Sequence, residues 1–119
     1  MNKKLVLLVE DDQFTGENMK ALLELEDFEV ILATNTPDSF KAFDLNKDKL
    51  TAIILDGSME KTSGNTTIPL IEYIKAQGFG GYILAASSSP VMRMEMMVAG
   101  CNDHCPKAHF LTHLKMAKI

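Results

Sequence analysis

The sequence has few cysteines, no excess of positive charge and no long apolar run. Its two cysteines are too few for the disulfide framework of a small secreted domain. The apolar run that follows Lys3 and Lys4 covers only residues 5–9, which is too short for a signal peptide or a membrane span. The 12 Lys and Arg are outnumbered by 16 Asp and Glu, which gives a net charge of −4. These absences favour a cytoplasmic protein that neither enters a membrane nor binds nucleic acid directly through phosphate contacts.

What the sequence does have is a repeated alternation of short apolar runs and helical patterns. At 119 residues and 46% hydrophobic content, it is expected to fold as a single domain over residues 1–119. The run at residues 5–9 is continuously apolar and that at residues 50–55 nearly so, which is typical of strands buried on both faces. The predicted strands cover residues 5–9, 28–33, 50–55, 82–86 and 103–105. Strands that alternate with helices in this way predict an α/β fold, a parallel sheet with helices on both faces.

Several helix ends can be placed from residue type. Asp12 is predicted to cap the first helix. Thr36 followed by Pro37 predicts an N-cap and a first-turn proline for the second helix. Pro90 fits the first turn of the fourth helix, and Gly100 is expected to end it.

Polar residues follow the carboxyl ends of four predicted strands. These residues are Glu10, Asp11 and Asp12 after the first strand, Asp56 after the third, Ser87 after the fourth and Lys107 after the fifth. In open parallel sheets the ligand crevice lies at this edge, so we expect their side chains to meet. Neighbouring carboxylates repel one another unless a cation is present, and Mg²⁺ is the hard cation that uses few carboxylates and also holds phosphate oxygens.

This set of side chains has the components for phosphoryl transfer to a carboxylate. A carboxylate such as Asp56 can act as a nucleophile toward phosphorus. Ser87 and Lys107 are suitable donors to the oxygens of the transferred group, although Ser88 and Ser89 offer neighbouring hydroxyls.

In this pattern the sequence resembles the receiver domain of bacterial response regulators, across nearly its whole length. That family has an acidic pair after strand one and an Asp after strand three. It has a Ser or Thr after strand four and a Lys after strand five. It also has glycines eight residues after the Asp and seven before the Lys, which are Gly64 and Gly100 here. The resemblance implies a flavodoxin-like, doubly wound, five-stranded parallel sheet in the order 2-1-3-4-5 with five helices.

The resemblance also implies a function, a cofactor and partners. Asp56 would take a phosphoryl group from a phosphohistidine on a sensor histidine kinase or a histidine phosphotransfer protein. Asp11, Asp56 and the backbone carbonyl of Ser58 would bind Mg²⁺, and Glu10 would act mostly through a water. Phosphorylation would draw Ser87 inward and change the face between the fourth and fifth helices, which a downstream protein reads and which is a candidate surface for homodimer formation. Such a domain is not an enzyme beyond promoting its own phosphorylation and dephosphorylation.

Three positions depart from the family pattern. Glu60 stands where a proline is common. Pro106 precedes Lys107 and Ala108 follows it, although the family usually has a proline after the lysine, so a cis bond there is not expected. His104 replaces an aromatic residue that swings with the Ser or Thr. It could still rotate as a switch, but we favour the alternative of a fixed, exposed histidine.

Other classes of protein explain the residues less well. A degenerate receiver, which binds proteins without phosphorylation, would have lost an acidic residue or the lysine. A phosphatase of the haloacid dehalogenase type needs a second Asp two residues after the first, where Ser58 stands. A nucleotide-binding fold would need a Gly-rich loop after the first strand. Both a stand-alone regulator and a piece of a larger regulator or hybrid kinase are compatible with the sequence.

Two further groups of residues have alternative interpretations. A zinc site could be built from Cys101, His104, Cys105 and His109, but their spacing is not a usual ligand pattern. Four methionines of the fourth helix cannot all face the core, so either some form a partner surface or all serve in core and edge packing. They are Met92, Met94, Met96 and Met97.

Overall fold

The computed structural model describes residues 3–57 and 67–119, and strands alternate with helices throughout them. The strands are β1 (Lys4–Val9), β2 (Phe28–Ala33), β3 (Leu50–Leu55), β4 (Tyr82–Ala86) and β5 (Asp103–Cys105). The helices are α1 (Gln13–Leu25), α2 (Thr36–Asn46), α3 (Ile68–Ala76), α4 (Pro90–Ala99) and α5 (Phe110–Met116), with a 3₁₀ turn at Lys107–His109. None of the helices in the described residues has the length and apolar character that crossing a bilayer requires.

The strands form one parallel sheet in the order β2-β1-β3-β4-β5. The predicted fold class and strand order are therefore confirmed. The first strand, β1, pairs with β2 on one side and with β3 on the other, so connections run in both directions from it. This reversal of direction opens a crevice beyond the carboxyl ends of β1 and β3.

The sheet separates two apolar cores, because alternate residues of each strand point to opposite faces. On one face, Leu7 and Ile53 pack with Phe43 of α2 and with α3 and α4. On the other face, Leu8 and Ile54 pack with α1 and α5. Both faces are covered, which explains why the central strands are continuously apolar rather than alternating.

The helix ends agree with the sequence in three places and differ in one. The Asp12 side chain accepts a hydrogen bond from the Thr15 backbone N–H at 2.9 Å and caps α1 as predicted. Pro90 lies in the first turn of α4, and Gly100 ends this helix with a positive φ of 134° that favours glycine. The prediction of Thr36 as the cap of α2 was wrong. Asn35 is the cap, because its side chain accepts from the Asp38 N–H at 2.8 Å and Thr36 is already helical.

Candidate functional site

The candidate site is built on backbone hydrogen bonds that continue past the strand ends. The Glu10 N–H donates to the Ala33 carbonyl at 3.1 Å, and the Asp56 N–H donates to the Val9 carbonyl at 2.9 Å. The residues before Glu10 and Asp56 are themselves partners in the sheet. The two acidic residues therefore leave adjacent strands at the same level, on rigid backbone.

Three carboxylates meet at this edge of the sheet. Glu10, Asp11 and Asp56 each place an oxygen within 4.8 Å of the others, and they are the only such group of potential metal ligands in the described part of the chain. Glu10 is 1% exposed and Asp56 is 9% exposed. One oxygen of Glu10, Oε2, accepts from the Asp12 N–H at 3.1 Å. The structure thus brings together the acidic residues that the sequence predicted.

Lys107 supplies the positive charge of the site. Its Nζ lies 2.8 Å from Glu10 Oε1 and 3.4 Å from Asp56 Oδ2. Lys107 begins the 3₁₀ turn after β5, and no cis peptide bond occurs in the described residues, in agreement with the sequence prediction. Burial by itself lowers the pKa of Lys107, but its contacts with Glu10 and Asp56 outweigh burial, so the pKa lies above its ordinary value.

The electrostatics of the carboxylates are suited to a divalent cation. Burial raises the pKa of Glu10, and Lys107 and the Asp12 N–H only partly offset it. Burial also raises the pKa of Asp56, again against the opposing charge of Lys107. Apart from the Lys107 ion pair, Glu10 Oε1 has no hydrogen-bond partner among the described residues. Buried oxygen ligands with excess negative charge fit Mg²⁺, so the residues present are compatible with this ion.

Ser87 lies at the end of β4 and is 3% exposed. Its N–H donates to the Cys105 carbonyl at 3.2 Å, which extends the β4–β5 pairing by one residue. Its hydroxyl oxygen accepts from the Ser89 N–H at 3.1 Å. Ser89 caps α4 by accepting from the Met92 N–H at 3.2 Å. The neighbouring serines therefore have different roles: Ser87 is buried at the strand end, Ser88 is exposed, and Ser89 is a helix cap.

Comparison with known proteins agrees with this arrangement. The sequence model of the response regulator receiver domain matches residues 6–117. The chain belongs to this family. It is 34% identical over 107 residues to the transcriptional regulatory protein CpxR of Escherichia coli, covering 90% of this chain and 43% of CpxR. The chain thus spans less than half the length of this curated relative.

Solved receiver domains share the fold. The non-phosphorylated HemR receiver domain of Leptospira biflexa is 25% identical, with a TM-score of 0.79 over 96% of this chain and 93% of HemR. A CheX-CheY-BeF3-Mg complex from Borrelia burgdorferi is 17% identical, with a TM-score of 0.81 over 98% of this chain and 90% of that chain. The second similarity concerns the fold alone.

The burial of His104 differs from what the sequence predicted, and three other residues named from the sequence lie outside the described residues. Ser58, Glu60 and Gly64 are outside the described residues. The expectation that His104 is exposed was wrong, because its ring is half-buried and its Nδ1 is fully buried. Asp103 and Cys105 contact the α5 side of the sheet, so His104 between them faces the α4 side. Its role as a switch stays a prediction.

The alternative zinc site is not supported in this receiver domain. Cys101 packs in the core on the α4 side of the sheet, and Cys105 packs in the core on the α5 side. Burial raises the pKa of Cys101 to about 12 and that of Cys105 to about 11. Burial thus disfavours the thiolate form that zinc binds, and the two cysteines lie in cores on opposite sides of the sheet.

Two side chains near the site were missed by the sequence reasoning. The Thr67 hydroxyl donates to the Gly57 carbonyl at 3.3 Å, next to Asp56. Arg93 of α4 donates from Nη1 to the Ser87 carbonyl at 2.6 Å. Nothing in the sequence pointed to Thr67, but Arg93 is the only arginine in the chain, which was an available signal.

The surface near the site has two exposed apolar regions. A groove of about 530 Å³ between α1 and the start of α5 is bordered by Lys107, and Phe14 in its wall is 75% exposed. On α4, Val91, Met94 and Val98 are 69%, 54% and 88% exposed, whereas Met96 is fully buried. The four methionines therefore do not all face the core, as the sequence predicted, and Met94 is the one that is exposed.

Proposed function

We propose that this receiver domain accepts a phosphoryl group on Asp56 in a two-component phosphorelay. The observation that carries this proposal is the meeting of Asp56 with Glu10, Asp11 and Lys107 at the carboxyl edge of the sheet. The acceptor carboxylate is held by its own backbone bond to β1, so its position is defined before a donor arrives. Lys107 can neutralise charge that develops on the transferred group.

Mg²⁺ is the cofactor in this proposal. Asp11 and Asp56 would bind it, with Glu10 acting mostly through water and the Ser58 carbonyl as a further ligand. When bound, the ion supplies neutralisation of the negative charge that the carboxylates and the phosphoryl oxygens bring together. The chain's own residues orient the acceptor: β1 and β3 fix Glu10 and Asp56, and Lys107 and Ser87 donate to the phosphoryl oxygens.

The proposed donor is the phosphohistidine of a sensor histidine kinase or a histidine phosphotransfer protein. The apolar groove with Phe14 and Phe110 lies beside Lys107 and gives a protein donor a surface to dock on. A downstream protein, or a second copy of the domain, would contact the face of α4, β5 and α5, where Val91 and Val98 are exposed. We propose a cytoplasmic signalling domain that does not itself contact nucleic acid and that catalyses only its own phosphorylation and dephosphorylation.

Intact mass measurement tests the proposal. The native chain and Asp56→Asn are incubated with acetyl phosphate or phosphoramidate, with Mg²⁺ or with a chelator. We expect one added phosphoryl group on the native chain, dependent on Mg²⁺ and absent from the variant. Because a short-lived phosphoryl group would escape mass measurement, binding of beryllofluoride is measured in parallel.

The outcome separates the two kinds of receiver. An adduct that persists in Asp56→Asn would show that another residue is modified. The absence of both an adduct and beryllofluoride binding would leave the degenerate receiver, a binding module that works without phosphorylation.

A further inference from the structure

Arg93 is the only arginine of this chain, and it contacts the residue that we expect to bind the phosphoryl group. Its Nη1 donates to the backbone carbonyl of Ser87 at 2.6 Å. A hydrogen bond from a charged donor is shorter and stronger than one between neutral groups. The contact joins the first turns of α4 to the residue that follows β4.

The position of Arg93 is not explained by stability alone. The side chain is half-buried, and its Nε is fully buried without a hydrogen-bond partner among the described residues. A buried donor without a partner is costly, and an apolar side chain of similar length would avoid that cost. The hydrogen bond that the structure gives this guanidinium is the one to the Ser87 carbonyl.

The segment that Arg93 holds determines where the Ser87 hydroxyl points. The Ser87 hydroxyl oxygen accepts a hydrogen bond from the Ser89 N–H, and this bond closes a small serine turn. The turn spans the Ser87–Ser88 peptide bond, whose carbonyl accepts the hydrogen bond from Arg93. The Ser87 hydroxyl also carries a proton that it can donate, and the structure shows no hydrogen bond donated by this hydroxyl within the described residues. Ser89 then caps α4, so the whole junction is hydrogen-bonded from strand to helix.

We propose that Arg93 is a positioning residue, which holds the Ser87 peptide so that the Ser87 hydroxyl is preorganised as a donor to the phosphoryl group. This inference rests on the proposed function and adds a residue to it. Arg93 acts through Ser87 and not on the metal ligands, since within the described residues its hydrogen bond goes to the Ser87 carbonyl and not to Glu10, Asp11 or Asp56. Preorganised donors lower the cost of binding because they need no reordering when the ligand arrives.

The chain carries its own probe for a test with beryllofluoride. The Met92 side chain lies against Gly57, the residue after Asp56: a Cβ on Gly57 would be 3.1 Å from Met92 Sδ. The methyl resonance of labelled Met92 therefore reports occupation of the site, and Met97 on the same helix is an internal reference. Titrations of Mg²⁺ and then of beryllofluoride at saturating Mg²⁺ give two separate dissociation constants for each variant.

The variants separate positioning from structure. Arg93→Met removes the donor and keeps the length, and Arg93→Lys keeps one ammonium that can reach the Ser87 carbonyl. Lys41→Met removes an equal charge from the exposed side of α2 and controls for long-range electrostatics. Ser87→Ala, alone and with Arg93→Met, completes a double-mutant cycle. Thermal unfolding identifies any variant that fails to fold.

We expect Arg93→Met to weaken beryllofluoride binding about tenfold, the cost of ordering one residue when the ligand binds. Its Mg²⁺ affinity should stay within about twofold of the native value, and Arg93→Lys should recover most of the loss. In the Ser87→Ala background, Arg93→Met should have no further effect. A loss of the same size in that background, an equal loss in Lys41→Met, or a folded Arg93→Lys as weak as Arg93→Met would overturn the inference. Failure of the native chain to bind beryllofluoride would instead refute the proposed function itself, and the inference with it.

Discussion

Replacing the acceptor carboxylate should stabilise the fold when Mg²⁺ is absent. Asp56→Asn keeps the shape of the side chain and removes one of three negative charges that lie within 4.8 Å of one another. At an effective dielectric constant of about 20, each like-charge pair at this distance costs about 3.5 kcal/mol. The lost attraction to Lys107 at 3.4 Å is worth about 5 kcal/mol on the same scale. The two lost repulsions exceed the lost attraction, so the free energy of unfolding of the variant should rise by about 2 kcal/mol. The variant also avoids the cost of burying an ionised carboxyl, which acts in the same direction.

Urea unfolding at neutral pH, with a chelator and with Mg²⁺, measures this gain. Without Mg²⁺ we expect the variant to have the higher free energy of unfolding. With Mg²⁺ the native chain should gain more than the variant, because it has one more carboxylate ligand. Glu72→Gln, which changes an exposed acidic residue in the middle of α3, is the matched control.

The pH dependence of the gain follows from the raised pKa values of Asp56 and Glu10. A carboxyl whose pKa is raised on folding lowers the free energy of unfolding, and this penalty is complete when the pH is above the pKa of the folded state. The penalty disappears as the pH falls through the folded pKa toward the lower pKa of the unfolded chain. The advantage of Asp56→Asn should therefore shrink on acidification. A variant that is less stable than the native chain without Mg²⁺ at neutral pH would refute the account of the site as electrostatically strained.

Three further predictions concern single contacts. Lys107→Met should lower the free energy of unfolding by about 2–3 kcal/mol without Mg²⁺, because it leaves the buried Glu10 charge unpaired, and added Mg²⁺ should restore part of this loss in urea titrations. Gly57→Ala should lower the free energy of unfolding by about 1–2 kcal/mol, since the new Cβ would lie 3.1 Å from Met92 Cβ and Sδ. The additional change Met92→Ala should lower this free energy by less in the Gly57→Ala background than in the native chain. Cys101 should react with iodoacetamide only at the rate of global unfolding, as followed by mass, because the thiol is buried and its pKa is about 12.

The fold was largely predictable from local sequence. Residues 28–33, 50–55 and 82–86 are apolar apart from Glu29 and Thr51, and they became β2, β3 and β4 with those bounds. Such runs predict strands because only a sheet covered on both faces buries every side chain of a strand. The one misplaced cap came from a local ambiguity: Asn35 and Thr36 are both good caps, and Asn35 provides the better acceptor at this helix start.

The acidic part of the site was predictable for a different reason. The carboxyl ends of parallel strands share one edge, so Glu10, Asp11 and Asp56 had to approach one another once the strands were correctly placed. The reach of Lys107 was not predictable, because it depends on the path of the chain after β5. The structure resolves it: the 3₁₀ turn at Lys107–His109 brings Nζ within 2.8 Å of Glu10.

The sequence by itself determined the order of the elements, the faces that they bury and the set of residues at the crevice. Those features follow from hydrophobic pattern, residue type and chain direction, which are local or topological. Only the tertiary structure decided the burial of His104, the separation of the two cysteines onto opposite faces, and the contact of Arg93 with Ser87. Each of these depends on where α4 lies against β4 and β5, and that placement results from side-chain packing between segments rather than from any pattern within one of them.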